Sequence, residues 1–306
     1  MSHSGESIQF RRLGPFDIRR YSHFAASVDL TYVRAGPGVA IGVDDADGRP
    51  AGLALAVFVR PTAVRVVALS VDESLRGRGI GRRLHAELEA DLVASGVVLA
   101  DLLATHPHPF LQGAGWQVGA RIATVYTYSK RVGEAPWLRS PISSSSYEVF
   151  PWLSLRSRDR EQALRLIEAD AVARTLDPFA DATRTFGPCS NGIRYAGELV
   201  GWCVTHKLDS GLLRYGSVYV APRHRRTVAA AMVLGESIRE HLRRADELPL
   251  GMQAIPPALP EIERFAAKRL APWADSVERV HVWWKALGGD SRSPIQEGGD
   301  VAADPA

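Results

Sequence analysis

The sequence predicts an α+β fold of two tandem domains, each a mixed, mostly antiparallel sheet flanked by helices. Three observations carry that prediction. The 306 residues give room for about two domains of ordinary size. The segment Gly48–Val71 superposes without a gap on Gly197–Val220, so that Gly48, Gly52, Arg65 and Val71 land on Gly197, Gly201, Arg214 and Val220; beyond it Arg76 lands on Arg225. In both copies the hydrophobic pattern then changes in the same order, from strands to a helix to a short apolar run.

In the first copy, Asp44–Gly48 is a turn between two apolar runs, so residues 39–44 and 51–60 read as a hairpin. A third strand spans 64–71. Residues 78–95 have helical spacing, with Ile80, Leu84, Leu88 and Leu92 on one face. The apolar run 97–103 is short enough for a buried strand. In the second copy the strands fall at 192–196, 199–207 and 212–220, the helix at 224–244 and the buried strand at 248–254. A further helix at 158–176 would bury Ala163, Leu164, Leu166, Ile167 and Ala171. Arg139–Ser146, a Pro followed by a serine run, reads as a linker between domains at 6–138 and 147–286, and 287–306 reads as a disordered tail.

Composition bounds the function. Hydrophobic residues are 46% and charged residues 23%, which excludes a largely disordered chain. There is no run of 18 apolar residues to span a membrane, and Met1–Glu6 lacks the apolar core of a secretory leader. Cys189 and Cys203 are the only cysteines, which excludes a disulfide framework or Cys-rich zinc site and fits a reducing cytoplasm. The net charge is +3, and four of the 37 basic residues are Lys, leaving 33 Arg. Arginine suits phosphate and carboxylate partners. No dense basic stripe marks a nucleic-acid partner, and a GC-rich genome accounts for most of the arginine.

The sharpest chemical signal follows the third strand. Gly77, Gly79 and Gly81 alternate between a strand and a helix, among Arg76, Arg78, Arg82 and Arg83. Glycine lets backbone approach a ligand closely, and a helix N-terminus offers unpaired N–H groups to an anion. The pattern is a pyrophosphate cradle. No Lys-Ser or Lys-Thr follows the glycines, and the strands before them read as a hairpin meander, so neither a triphosphate loop nor a dinucleotide fold is expected.

Arg76-x-x-Gly79-x-Gly81 after Leu69-Ser-Val71 resembles motif A of the GNAT superfamily, the acyl-CoA-dependent N-acyltransferases; Pro109–Trp116 resembles a later motif of the same family. The resemblance covers residues 6–130 well and 147–286 as architecture with eroded motifs, giving a tandem GNAT. It implies an acetyl-CoA or other acyl-CoA co-substrate held by Leu69, Val71, Arg76, Gly77, Arg78, Gly79, Ile80, Gly81 and Phe110. Strand backbone near Val71 would pair with pantetheine, the turn amides would hold the pyrophosphate, and the splay between strands 64–71 and 97–103 would admit the thioester. A primary amine of a small molecule or peptide would attack the thioester directly, with no metal. The second copy has Val228 and Ala230 where the first has Gly79 and Gly81, so it is expected not to bind CoA tightly.

The catalytic groups do not carry over. Arg65 stands where many members have a Glu base, and Leu111 where they have a Tyr acid. His106 and His108 follow the buried strand and are candidates for the base, because an imidazole titrates near neutral pH. Tyr126 and Tyr128 alternate on a late strand, and Tyr126 is the candidate acid. His85 reads as a surface residue, and Arg65 and Arg214, at the same repeat position, as wet-face residues or, for one of them, a ligand for an acceptor carboxylate. Trp202, Tyr215, Tyr219, Trp283 and Trp284 make the second copy aromatic, as core or as the lining of an acceptor cleft. With no base in place, the reading favours an amine of low pKa such as an α-amine. Two alternatives stand beside it: an acyl carrier protein as donor, and a non-catalytic acyl-CoA-binding regulator.

Overall fold

The computed structural model describes residues 8–25, 38–140, 142–208 and 211–288. In chain order the strands are β1 (Gln9–Arg12), β2 (Gly38–Asp44), β3 (Pro50–Arg60), β4 (Ala63–Val71), β5 (Leu99–Thr105), β6 (Gln117–Tyr128), β7 (Tyr147–Pro151), β8 (Asn191–Tyr195), β9 (Glu198–Lys207), β10 (Leu213–Val220), β11 (Gly251–Ile255) and β12 (Ser276–Ala286). The helices are α1 (Ile80–Ala94), α2 (Pro109–Gly113), α3 (Pro136–Arg139), α4 (Ser157–Ala169), α5 (Ala171–Thr175), α6 (Ala229–Leu242) and α7 (Pro260–Arg269). Among the described residues no helix is long and apolar enough to cross a membrane.

The chain forms two compact units, Met1–Ala120 with His281–Ala306, and Arg121–Val280. The divisions fall inside β6 and β12. The segment 139–146 therefore lies within the second unit, where Ile142 packs against the core. Of the tail read as disordered, 289–306 lie outside the described residues.

In the first unit β1 to β4 form an antiparallel meander, and β5 joins β4 in parallel. The end of β12 lies beside β5 and completes the sheet with the start of β6. Helix α1 covers one face, and Ile80, Leu84, Leu88 and Leu92 are buried at the spacing the sequence shows. The opposite face is closed by the 3-10 segment Asp17–Ala25, whose buried Tyr21 donates to Asp44 (2.6 Å).

In the second unit β7 to β10 form the meander, β11 joins β10 in parallel, and the end of β6 lies antiparallel to β11. Helix α6 is buried against it. The helix expected at 158–176 is two. Asp170 breaks it, because its carboxylate caps Val172 N–H (2.9 Å) and also accepts from Tyr219 (3.0 Å) and Arg225 (2.5 Å). Leu164 and Ala171, expected on the apolar face, are exposed.

The aligned positions of the two copies do the same physical work. Gly48 and Gly197 both turn the hairpin at positive φ, 73° and 81°. At Gly52 and Gly201 a side chain would meet the carbonyl of Ser70 (2.9 Å) or Tyr219 (2.5 Å), and those two residues occupy equivalent positions. Each of β4 and β10 carries a bulge, at Val67 and at Gly216, again equivalent. Arg76 and Arg225 each donate Nε to the carbonyl that ends the strand, Val71 (3.1 Å) and Val220 (3.0 Å).

Unit two also holds a buried ion pair. Arg194 binds both oxygens of Asp159 (2.7 and 3.0 Å), with each side chain 3% exposed, and its guanidinium lies over Phe150. Substituting Asp159→Asn leaves the buried cation only the exposed Glu148 (3.3 Å) and should cost about 3 kcal/mol in chemical denaturation of the full chain; a loss below about 1 kcal/mol would show that Glu148 or solvent compensates the charge.

Candidate active site

The glycine turn joins β4 to α1. Gly77 and Gly79 have φ of 78° and 79°, the left-handed region that glycine tolerates. No atom lies within 4 Å of where a side chain would stand at either, so their backbone faces open space. Helix α1 begins at Ile80 without a side-chain cap. Among the described residues the N–H groups of Gly77, Gly79, Ile80, Gly81 and Arg82 are spent on no hydrogen bond. These donors cluster at the positive end of a 15-residue helix. Buried Ile80 anchors that end in the core, and the Arg76 Nε bond ties the strand end to the turn. Arg82 is exposed, whereas Arg83 stacks on Phe10 (4.3 Å) and pairs with Glu87 (3.6 Å).

A cleft runs from this turn. Strands β4 and β5 pair only from Ala63–Val66 to Leu99–Leu102. The bulge at Val67 turns β4 away, leaving the β5 side of Ala68–Val71 without a ladder partner among the described residues. Leu69, Val71 and Phe110 are partly buried against the core beside it.

Two of the three catalytic candidates remain in this unit. His106 is exposed at the end of β5, with its ring 5.4 Å from His281 and 5.6 Å from Trp283. His108 is half-buried; its Nδ1 is buried with no hydrogen-bond partner, and its ring stands edge-on to Trp283 at 6.4 Å. The Nε1 of fully buried Trp283 is also unpartnered. Tyr126 belongs to the second unit, 2% exposed in its core, and burial raises its pKa.

Four other readings change. Arg65 is not waiting for an acceptor carboxylate, because Asp101 on β5 holds it through two bonds (2.8 and 3.0 Å). Arg214 is likewise engaged by Asp181 (2.8 Å). Trp283, read with the second copy, is core of the first. His85 is buried rather than on the surface: its Nε2 accepts from Trp116 Nε1–H (2.7 Å) and lies 3.3 Å from Glu89, which pairs with Lys285 (2.5 Å). The helical spacing that puts His85 one turn beyond Gly81 was visible in the sequence, but its Trp116 partner comes from 31 residues away.

A model of the acetyltransferase (GNAT) family matches residues 10–108, the segment that holds both the turn and the cleft. The chain carries a GNAT domain. No curated protein sequence matches it. Solved structures agree on the fold. A tandem GNAT protein from the clavulanic acid biosynthesis pathway shares 16% identity over 93% of this chain and all of its own, with a TM-score of 0.62. A GCN5-related N-acetyltransferase from Sphaerobacter thermophilus shares 15% over 92% of this chain and 96% of its own, with a TM-score of 0.52.

The GNAT turn is not repeated in the second unit. Arg226 and Val228 stand where Gly77 and Gly79 do, and neither has positive φ. Thr227 Oγ1 accepts the N–H of Ala229 (3.2 Å), and Thr227 N–H is spent on His224 O (3.1 Å). One donor that is open in the first unit, that of Ile80, has its counterpart at Ala229 closed here by a threonine.

Burial lowers the pKa of His85 below its ordinary 6.5, and Lys285 adds to this while Glu89 opposes it. The unfolded ring therefore takes up a proton first, and the stability from neutral His85 is present above pH 6.5 and lost as pH falls toward the lower folded value. Ring resonances of His85 in NMR titration should move below pH 6.5, and Trp116→Phe, which removes the donor that favours the neutral ring, should raise the midpoint. A midpoint at or above 6.5 in the native protein would overturn the burial argument.

Proposed function

We propose that the first unit moves an acyl group, most simply acetyl, from acyl-CoA to a primary amine of a small molecule or peptide in the cytoplasm. The supporting observation is the open N–H array of Gly77–Arg82 at the mouth of the cleft between β4 and β5. The array and the helix dipole suit a pyrophosphate. The unpaired edge of Ala68–Val71 suits the amides of pantetheine, and Leu69, Val71 and Phe110 supply an apolar flank. On this reading the thioester lies toward the end of β5, beside His106 and His108.

The chemistry is direct transfer. The amine lone pair attacks the thioester carbonyl, a C–N bond forms, and the C–S bond breaks as the tetrahedral intermediate collapses. The unpartnered Nδ1 of His108 accepts the proton that the amine loses, and the departing thiolate is protonated by solvent. β4 carries no carboxylate, and Asp101 beside it on β5 is held by Arg65, so no free carboxylate stands there to deprotonate an ammonium. That favours an α-amine, with a pKa of about 7.7–8.0, over a lysine ε-amine at about 10.4.

Acyl-CoA at 100 times its dissociation constant should add about 2.7 kcal/mol to stability, a rise of several degrees in melting temperature. Gly79→Val should abolish that rise. The variant melts measurably lower without ligand, because valine is strained at this φ. No rise with any acyl-CoA in the native protein would overturn CoA as donor and leave a carrier protein or a non-catalytic role. His108→Gln should lower kcat for thiol release by about 10²–10⁴-fold while leaving acyl-CoA affinity unchanged; an unchanged kcat would remove His108 from the chemistry.

A further inference from the structure

The second unit has a cleft of its own, of about 550 Å³, a size ordinary for a small-molecule site. It opens where β10 and β11 part. Their parallel pairing covers only Leu213–Arg214 and Gly251–Met252, and the bulge at Gly216 then turns β10 away. The walls are apolar, with Val218, Val220, Leu234, Ile262 and Phe265 among them. Gln253, the first residue of β11 beyond the pairing, lines the cleft; it is 4% exposed, and its buried Oε1 has no hydrogen-bond partner. An acceptor left unmet inside a protein is costly, so a donor arriving with a ligand would be stabilised there.

Charge at the rim is cationic. Arg225 is committed to Asp170 and Val220 O, with Glu261 at 4.0 Å. Arg226 and Arg264 also line the cleft, are exposed, and have no ion-pair partner among the described residues. A nucleotide pyrophosphate is poorly served, because Thr227 takes the N–H of Ala229 and the left-handed turn of Gly77 and Gly79 is absent at Arg226 and Val228.

We infer that this cleft binds an apolar carboxylate bearing an internal amide or hydroxyl. The apolar body fills the gap between β10 and β11, the N–H or O–H donates to Gln253 Oε1, and the carboxylate meets Arg226 and Arg264. The inference is independent of acyl transfer in the first unit.

The test is isothermal titration of the full chain with N-acetylphenylalanine, its methyl ester and CoA. N-acetylphenylalanine should bind with one equivalent, and the ester at least tenfold more weakly. Arg226→Gln with Arg264→Gln should produce a similar loss, and neither change removes a contact that the fold uses. Gln253→Leu should weaken N-acetylphenylalanine about tenfold but leave octanoate, which has no amide, unaffected. Binding should persist in Gly79→Val, which separates this site from that of the first unit. The inference is overturned if no carboxylate binds, if binding is lost in Gly79→Val, or if CoA competes for the arginine-dependent site.

Discussion

Two parallel strands that stop pairing after a few residues leave a gap, and much else in this protein follows from it. In the first unit the pairing of β4 with β5 ends at Val66, and the bulge at Val67 turns the strand away. The sheet stays intact on its β3 side, so the gap is held open by a rigid ladder. A wedge of unpaired backbone then leads directly to the turn that starts α1. The Nε bond of Arg76 to Val71 O links the two, so the end of the strand and the glycine turn keep one geometry.

The same device appears in the second unit at Gly216, yet the chemistry at its end has changed. The two units share what the backbone requires. Gly48 and Gly197 turn at positive φ, Gly52 and Gly201 pass close to a carbonyl, and Arg76 and Arg225 brace a strand end. What the turn does with its N–H groups was free to diverge, because it does not hold the sheet together. Glycines leave the donors open in the first unit, and Thr227 consumes one in the second. The same splay thus stands beside two different turns.

Electrostatics repeat that division. Many arginines of this Arg-rich chain are engaged by the fold: Arg65 with Asp101, Arg194 with Asp159, Arg214 with Asp181 and Arg225 with Asp170. Arg82 beside the first cleft, and Arg226 and Arg264 beside the second, are exposed. Composition could not separate these groups, because each structural pair joins residues distant in sequence, such as 65 with 101.

The sequence alone determined the repeat, the strand–turn–helix order and the glycine turn. Those depend on period, turn chemistry and local sterics, which are written in neighbouring residues. Helix α1 and its four buried positions were legible for that reason. The break at Asp170 was not, since Tyr219 and Arg225 reach that carboxylate from far along the chain. Tertiary structure alone decided that β12 returns Trp283 to the first unit, that His85 is buried under Trp116, and that Tyr126 is core of the second. Each of these turns on which distant segments share a core, and burial and long-range pairing are properties of the packed chain rather than of any local stretch.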